Sequence, residues 1–297
     1  MTQSTQTEII DGNSRFGLSD AELLQLPTVF RPDLFKGQVV LVTGAGSGLG
    51  KAVAALFARL GATLMIAGRD ADKLDRAAAL LGTIGNKVAT QAMTIRDPDQ
   101  VSHLIDRTWS ELGPIDVVIN NAGGQFPQAA LDFTIKGWNA VVDTNLNGTW
   151  YMMQAAARRW VAAKSPGAII NVVADIWRGM PGIAHTCAAR AGVIYLSKTV
   201  AVEWSPHDIR VNCVAPGCVE TTAFARYPAE GAESFQRDAN PMKRPGDVQD
   251  IAESCVYLAA PSAKFITGEV ITVDGGQQLW GDPWPTGRPP YFSAERT

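Results

Sequence analysis

Two stretches of this 297-residue chain combine residue types and spacing that do recognisable chemistry. Thr43-Gly44-Ala45-Gly46-Ser47-Gly48-Leu49-Gly50 follows a short apolar run and precedes a helical one, Lys51 to Leu60. Glycines at such a junction let the backbone turn tightly and approach a pyrophosphate, and the free N–H groups of the helix start complement its charge. A strand before and a helix after separate this loop from an ordinary tight turn. The second stretch is Leu64-Met65-Ile66-Ala67-Gly68-Arg69. A site for NAD commonly ends this strand in a carboxylate that bonds the ribose 2′-OH. Here Gly68 and Arg69 stand in that place. A guanidinium bonds a 2′-phosphate through two donors, whereas a carboxylate would repel it. The expected cofactor is therefore NADP(H), held by Gly44, Ser47, Gly48, Leu49, Gly50 and Arg69. Asp70 comes too late to be the ribose ligand and reads as the N-cap of a helix beginning near Ala71.

Positioning these groups takes βαβ units. From Gln38 onward, short apolar runs alternate with helix-length amphipathic segments, the pattern of an α/β fold with a parallel sheet. Strands are expected at Val39–Thr43, Thr63–Gly68, Lys87–Met93, Asp116–Asn120, Ala168–Val173, Arg210–Val214 and Val270–Val273. Right-handed crossovers put helices on both faces. The expected architecture is a Rossmann-type, doubly wound, mostly parallel sheet of about seven strands. Residues 1–36 read as an N-terminal arm with one short amphipathic stretch, Asp20–Leu26. Residues 37–278 read as the cofactor-binding domain, and 279–297 as a tail rich in proline and aromatic residues.

Hydrophobic residues make up 46% of the chain and charged residues 19%, which suits a globular domain with a sizeable core. A net charge of -3 and the lack of a basic stripe argue against a nucleic-acid partner. The four cysteines, Cys187, Cys213, Cys218 and Cys255, form neither a CxxC pair nor a metal-spaced cluster. They point to a reducing compartment, and the expected location is cytoplasmic. The N-terminal residues lack the apolar core of a signal peptide, and no apolar run reaches membrane-spanning length, so no membrane association is expected. Glu295-Arg296-Thr297 is not a peroxisomal address.

The TGxxxGxG spacing of the loop resembles that of the short-chain dehydrogenase/reductase family. Asn120-Asn121-Ala122-Gly123, Asn145 within Asp143-Thr144-Asn145-Leu146, Asn212-Cys213-Val214-Ala215-Pro216-Gly217, and Ile266-Thr267-Gly268 with Asp274-Gly275-Gly276 agree with it. The resemblance covers about residues 37–278. It implies further cofactor contacts at Thr94, Ile95, Asn121, Ala122, Gly123, Pro216, Gly217 and Val219. Thr94 stands where the family usually has an Asp against adenine. The family's catalytic group is a Ser, a Tyr-x-x-x-Lys and an Asn. Anchored on Ala191-Gly192-Val193, the Ser position falls at Val173, the Tyr position at Thr186 and the Lys position at Arg190; Asn145 alone matches. A Thr hydroxyl is far too weak an acid to replace a phenol. Tyr195 lies about 180° around the helix from Thr186 and is expected to point away from the nicotinamide.

Gly123-Gly124-Gln125-Phe126, Lys136-Gly137-Trp138, Gly148-Thr149-Trp150-Tyr151-Met152 and His185 through Val193 resemble the branch of peroxisomal trans-2-enoyl-CoA reductases and 2,4-dienoyl-CoA reductases. That branch departs from the Ser/Tyr arrangement and reduces C=C bonds beside a thioester. In such a reduction charge collects on the thioester oxygen, so fixed donors matter more than a tuned phenol. Arg190 offers positive charge and a grip on the ribose. Water, His185 or Asp175 could supply the proton to carbon, alongside the ordinary roles of His185 in packing and Asp175 in bonding local backbone. Three readings stay open: an NADPH-dependent enoyl-thioester reductase, an alcohol or carbonyl oxidoreductase acting on an apolar substrate such as a terpenoid, and an NADP(H)-binding protein without turnover. Family resemblance and two apolar helices, Trp138–Trp160 and Ala188–Trp204, imply a homotetramer.

Overall fold

Short runs rich in Val, Ile and Ala cannot expose either face to water, and they pair side by side into one parallel sheet. The computed structural model describes residues 17–221 and 240–279. Residues 1–16 of the expected arm and 280–297 of the expected tail lie outside the described residues. The strands are β1 (Val39–Thr43), β2 (Thr63–Gly68), β3 (Val88–Ala92), β4 (Ile115–Asn120), β5 (Gly167–Val172), β6 (Ile209–Pro216) and β7 (Val270–Val273). They form a seven-stranded sheet in the order β3-β2-β1-β4-β5-β6-β7, every pair parallel. The expected Rossmann-type, doubly wound fold is what the chain adopts.

The described helices are α1 (Asp20–Gln25), α2 (Gly48–Arg59), α3 (Ala71–Gly82), α4 (Pro98–Leu112), α5 (Ile135–Val142), α6 (Thr149–Ala163), α7 (Ala184–Trp204) and α8 (Val248–Ala259). Alternation along each strand divides the core between two faces. Val40, Val42, Leu64, Ile66, Val117 and Ile119 pack with α2 and α8. Leu41, Met65, Val118 and Ile169 pack on the other face with Leu104 and Ile105 of α4 and Met152 and Trp160 of α6. Helix starts follow capping chemistry. Asp70 accepts from the Lys73 N–H at 3.1 Å, and Asp97 from Asp99 and Gln100, with Pro98 behind it.

Two boundaries differ from expectation in a way that matters for the site. Helix α2 begins at Gly48, inside the glycine loop rather than after it, so the last loop residues are themselves its first turn. The run expected as one helix from Trp138 to Trp160 is helical throughout, but α5 and α6 are joined through a π-turn, Asp143–Gly148, which carries Asn145. Such turns insert an extra residue per turn and commonly accompany functional sites. Among the described residues no helix is long and apolar enough to cross a membrane.

Candidate active site

Strand β1 pairs with β2 on one side and β4 on the other, so the crevice beyond its carboxyl end is the switch point where such sheets receive ligands. The glycine loop lies there. Gly44 and Gly48 have φ of 69° and 54°, the left-handed region that glycine enters freely. A Cβ at Gly50 would collide with the Gly44 carbonyl oxygen and with Nδ2 of Asn121. The loop is stitched to the end of β4: Thr43 Oγ1 accepts from the Asn121 and Ala122 N–H groups at 3.1 and 3.0 Å, and Asn121 Nδ2 donates to the Thr43 carbonyl at 3.0 Å.

One groove runs along this edge. Gly44 and Ser47 border it at the loop, Arg69 at the end of β2, Thr94 and Ile95 after β3, and Ala122 and Gly123 after β4. Gly48 and Leu49 stand behind it in the first turn of α2, with Gly48 lining a neighbouring cavity, and Asn121 props the loop from below. Pro216 ends β6, and Gly217 and Val219 follow it at the same edge of the sheet, but none of the three lines the groove. There Gly217 N–H donates to the Val273 carbonyl at 3.0 Å, and Val219 bridges to Gly246.

Asn145 and Arg190 meet at Gly123. Asn145 Oδ1 accepts from the Gly124 N–H at 3.0 Å, and its Nδ2 donates to the Gly124 carbonyl at 2.9 Å, which pins the π-turn to the chain leaving β4. A Cβ at Gly123 would strike Nη2 of Arg190 and stand 3.1 Å from Asn145 Oδ1, so only glycine admits the guanidinium. Arg190 is buried, and its Nη1 has no hydrogen-bond partner among the described residues. Burial pushes its pKa down to about 10, which leaves it a cation at neutral pH.

The other expected site residues have different surroundings. Thr186 is buried in the first turn of α7. His185, also buried, has its ring centroid 4.7 Å from Phe126 and 4.4 Å from Phe133. Its Nδ1 accepts from the Thr186 N–H at 2.7 Å, and burial holds its pKa below the usual histidine range. Asp175 continues the line of β5, its N–H donating to the Pro216 carbonyl at 2.8 Å. Burial first, and then the carboxylate of Asp274, hold the Asp175 pKa above the ordinary range. Asp274 itself accepts from Gly276 and Gln278 N–H groups at 2.8 and 2.7 Å. Val173 sits in a small apolar cluster with Val193, Ile194 and Cys213. Tyr195 is 70% exposed, with Lys198 Nζ 5.5 Å from its ring centroid, whereas Thr186 is buried on the opposite face of α7.

Three features of the site escape the sequence motifs. Lys73 and Arg96 both border the groove, and Arg96 Nε donates to Thr144 Oγ1 of the π-turn at 2.7 Å. A buried polar chain runs beneath: Asn120 Nδ2 donates to Asn171 Oδ1 at 2.9 Å, Asn171 Nδ2 to Ser197 Oγ at 2.9 Å, and Cys213 Sγ to the same Ser197 Oγ at 3.3 Å. Only Lys73 leaves a local trace, a second cation one helical turn beyond Arg69.

The family model described as enoyl-(acyl carrier protein) reductase matches residues 44–278. The chain belongs to the short-chain dehydrogenase/reductase family. It is 38% identical over 252 residues to a probable 2,4-dienoyl-CoA reductase of Bacillus subtilis, covering 84% of this chain and 98% of that one. It is 35% identical over 257 residues to the peroxisomal 2,4-dienoyl-CoA reductase of Mus musculus, covering 84% and 87%. Among solved structures it is similar to a citronellol catabolism dehydrogenase of Pseudomonas aeruginosa, with a TM-score of 0.75, 37% identity, and coverage of 84% of this chain and 99% of that one.

Proposed function

We propose that this chain is an NADPH-dependent reductase of the C=C bond of an α,β-unsaturated acyl thioester such as an enoyl-CoA. The observation that carries the reading is the meeting of Arg190 and Asn145 at Gly123, with the one tyrosine of α7 turned to solvent. The groove fits a dinucleotide. Gly48, at the start of α2, has open space where a Cβ would be, and the buried Nη1 of Arg190, whose guanidinium packs on Gly123 of the groove wall, is without a hydrogen-bond partner among the described residues. NADPH, when bound, supplies hydride to the β carbon. Arg69 would hold the 2′-phosphate, and the α2 start the pyrophosphate. Arg190 would hold the nicotinamide ribose and place its charge where the thioester oxygen becomes negative. Asn145 keeps the Gly123–Gly124 shelf in place for that contact. Asp175, whose carboxyl pKa burial and Asp274 hold above the ordinary range, would give the α carbon its proton. The depressed pKa of His185 and its engaged Nδ1 suit a packing role instead.

NADPH absorbance, followed with trans-2-enoyl-CoA, with an aldehyde and with no addition, tests the reading. Consumption with the enoyl thioester alone is expected. Brisk turnover of terpenoid alcohols or aldehydes instead would favour the second reading, which the likeness to a citronellol catabolism dehydrogenase supports. Tight NADPH binding with no turnover on any substrate would mark a binding protein.

A further inference from the structure

We propose that residues 17–26 act as a strap that ties the segment leaving β6, residues 217–221, to the start of α2, and so sets how slowly a bound dinucleotide departs; this rests on dinucleotide binding in the groove described above. Glu220 is the positioning residue at the end of the strap. The match to the family model begins at residue 44, so the strap lies outside the matched part of the chain.

The N-terminal chain follows α2 from its end to its start, along a helix of 12 residues, about 18 Å. At the far end the Phe35 N–H donates to the Leu60 carbonyl at 2.9 Å, and the Phe35 ring packs edge-on against Phe57 with centroids 4.8 Å apart. Arg59 donates to the Leu26 carbonyl. Leu23 is buried in the core that α2 shares with α8, and Leu18 packs against that core. Ser19 closes a capping box with Glu22 that starts α1, and Asp20 pairs with Lys51 in the first turn of α2. There the strap leaves α2 and crosses to the segment after β6: the Gly17 N–H donates to Glu220 Oε1 at 2.8 Å. The backbone of that segment is fixed on its other side, where the Glu220 N–H donates to the Gly246 carbonyl at 2.8 Å and the Gly246 N–H to the Cys218 carbonyl at 2.9 Å. Gly17 and Leu18 of the strap, Ser47 and Gly48 of the loop, and Thr221 line one cavity, so the three segments meet.

The glycine loop hangs on β1 and residues 217–221 on β6, strands that β4 and β5 separate. Both stand at the carboxyl edge of the sheet. A dinucleotide reaching from the glycine loop to Arg190 of α7, which packs on β6, lies along that edge between them. Its departure needs the two segments to part, and loops of this kind open locally at low cost. A bond from a backbone N–H to a carboxylate raises that cost. The strap touches neither phosphate nor base, so it acts on NADPH and NADH alike.

Stopped-flow association and dissociation of NADPH and NADH, together with hydrogen exchange, test the strap in the full chain and its variants. Glu220→Ala is expected to quicken dissociation of both dinucleotides about tenfold, to leave association within about twofold, and to speed exchange of the amides of residues 17–23. Glu220→Gln keeps an oxygen for the Gly17 N–H and is expected to hold dissociation within about threefold of the wild type. Asp20→Ala, at an exposed site, unfastens the same strap from α2 and is expected to act in the same direction, with the double variant no faster than Glu220→Ala. Were Glu220→Ala not to fold, Asp20→Ala carries the same expectation and the same refutation. The proposal is overturned if Glu220→Ala leaves dissociation unchanged, if it quickens dissociation without freeing those amides, or if Glu220→Gln behaves like Glu220→Ala. A wild type that binds neither dinucleotide overturns the cofactor reading instead.

Discussion

At Gly123 a missing side chain and a buried cation depend on each other: the guanidinium of Arg190 occupies the place where a Cβ would be. Arginine keeps its charge where a lysine of similar burial would tend to lose it, since burial lowers Arg190 only to about 10. On the proposed reading, replacing it with an apolar side chain removes a donor to the developing charge. Arg190→Met is expected to lower kcat by about 10²–10³ in steady-state assays with an enoyl thioester. Tyr195→Phe is expected to leave kcat within about twofold, as a surface change away from the site; a collapse of activity would put Tyr195 in the acid's role. His185 makes a separate prediction about stability. Its folded pKa lies below its unfolded value, so the unfolded chain takes up the proton first. Stability is then full above the unfolded histidine value, about 6.5, and declines as pH falls from there toward the folded one. Melting curves between pH 7.5 and 5.5 should show this decline in the wild type and a shallower one in His185→Phe, which keeps a ring between Phe126 and Phe133. An equal slope in both would remove His185 from the account.

The glycine loop and the π-turn are the elements that set these residues. In the loop, Gly50 and Gly48 are needed for different reasons. Gly50→Ala drives a methyl into the Gly44 carbonyl and Asn121, whereas Gly48→Ala meets no atom within 4 Å and bears only its φ of 54°. Both are expected to cost about 1–3 kcal/mol in denaturant unfolding. Gly50→Ala alone should also remove dinucleotide binding by calorimetry, because it displaces the stitch between β1 and β4. Much of this element scale was legible in the sequence. Strands β1, β2 and β7 begin and end where the apolar runs do, and Asp70 caps α3 as its position suggests. Those signals are local: a run, a cap, a glycine. What was not legible arises from distant segments meeting. Arg96 finds Thr144, Asn120 finds Asn171, and Phe126 and Phe133 find His185 only after the sheet has formed. The π-turn was hidden for another reason: its residues continue the helical pattern of both neighbours, and a single extra residue leaves no mark in composition.

For the whole molecule, the outer face of α7 carries Tyr195 and Val202, 70% and 77% exposed and seven residues apart on one side of the helix. Phe265 is fully exposed, and β7 stands last in the sheet, with no further strand on its outer edge among the described residues. Apolar side chains and an outer strand of this kind are commonly covered by another copy. Light scattering at micromolar concentration is expected to give the mass of four chains, with two-fold axes; a monomer mass would reject that assembly. The strand order also bears on how the chain is made. Strand β1 leaves the ribosome before the other described strands, yet it ends between β2 and β4 with all five of its residues buried. Its edge toward β4 has no partner until Ile115–Asn120 has been synthesised. Through that interval the nascent polypeptide offers Val39–Thr43 as a template to any neighbouring chain. Recombinant yield should therefore follow chaperone supply and culture temperature more closely than it follows the melting point of the finished fold.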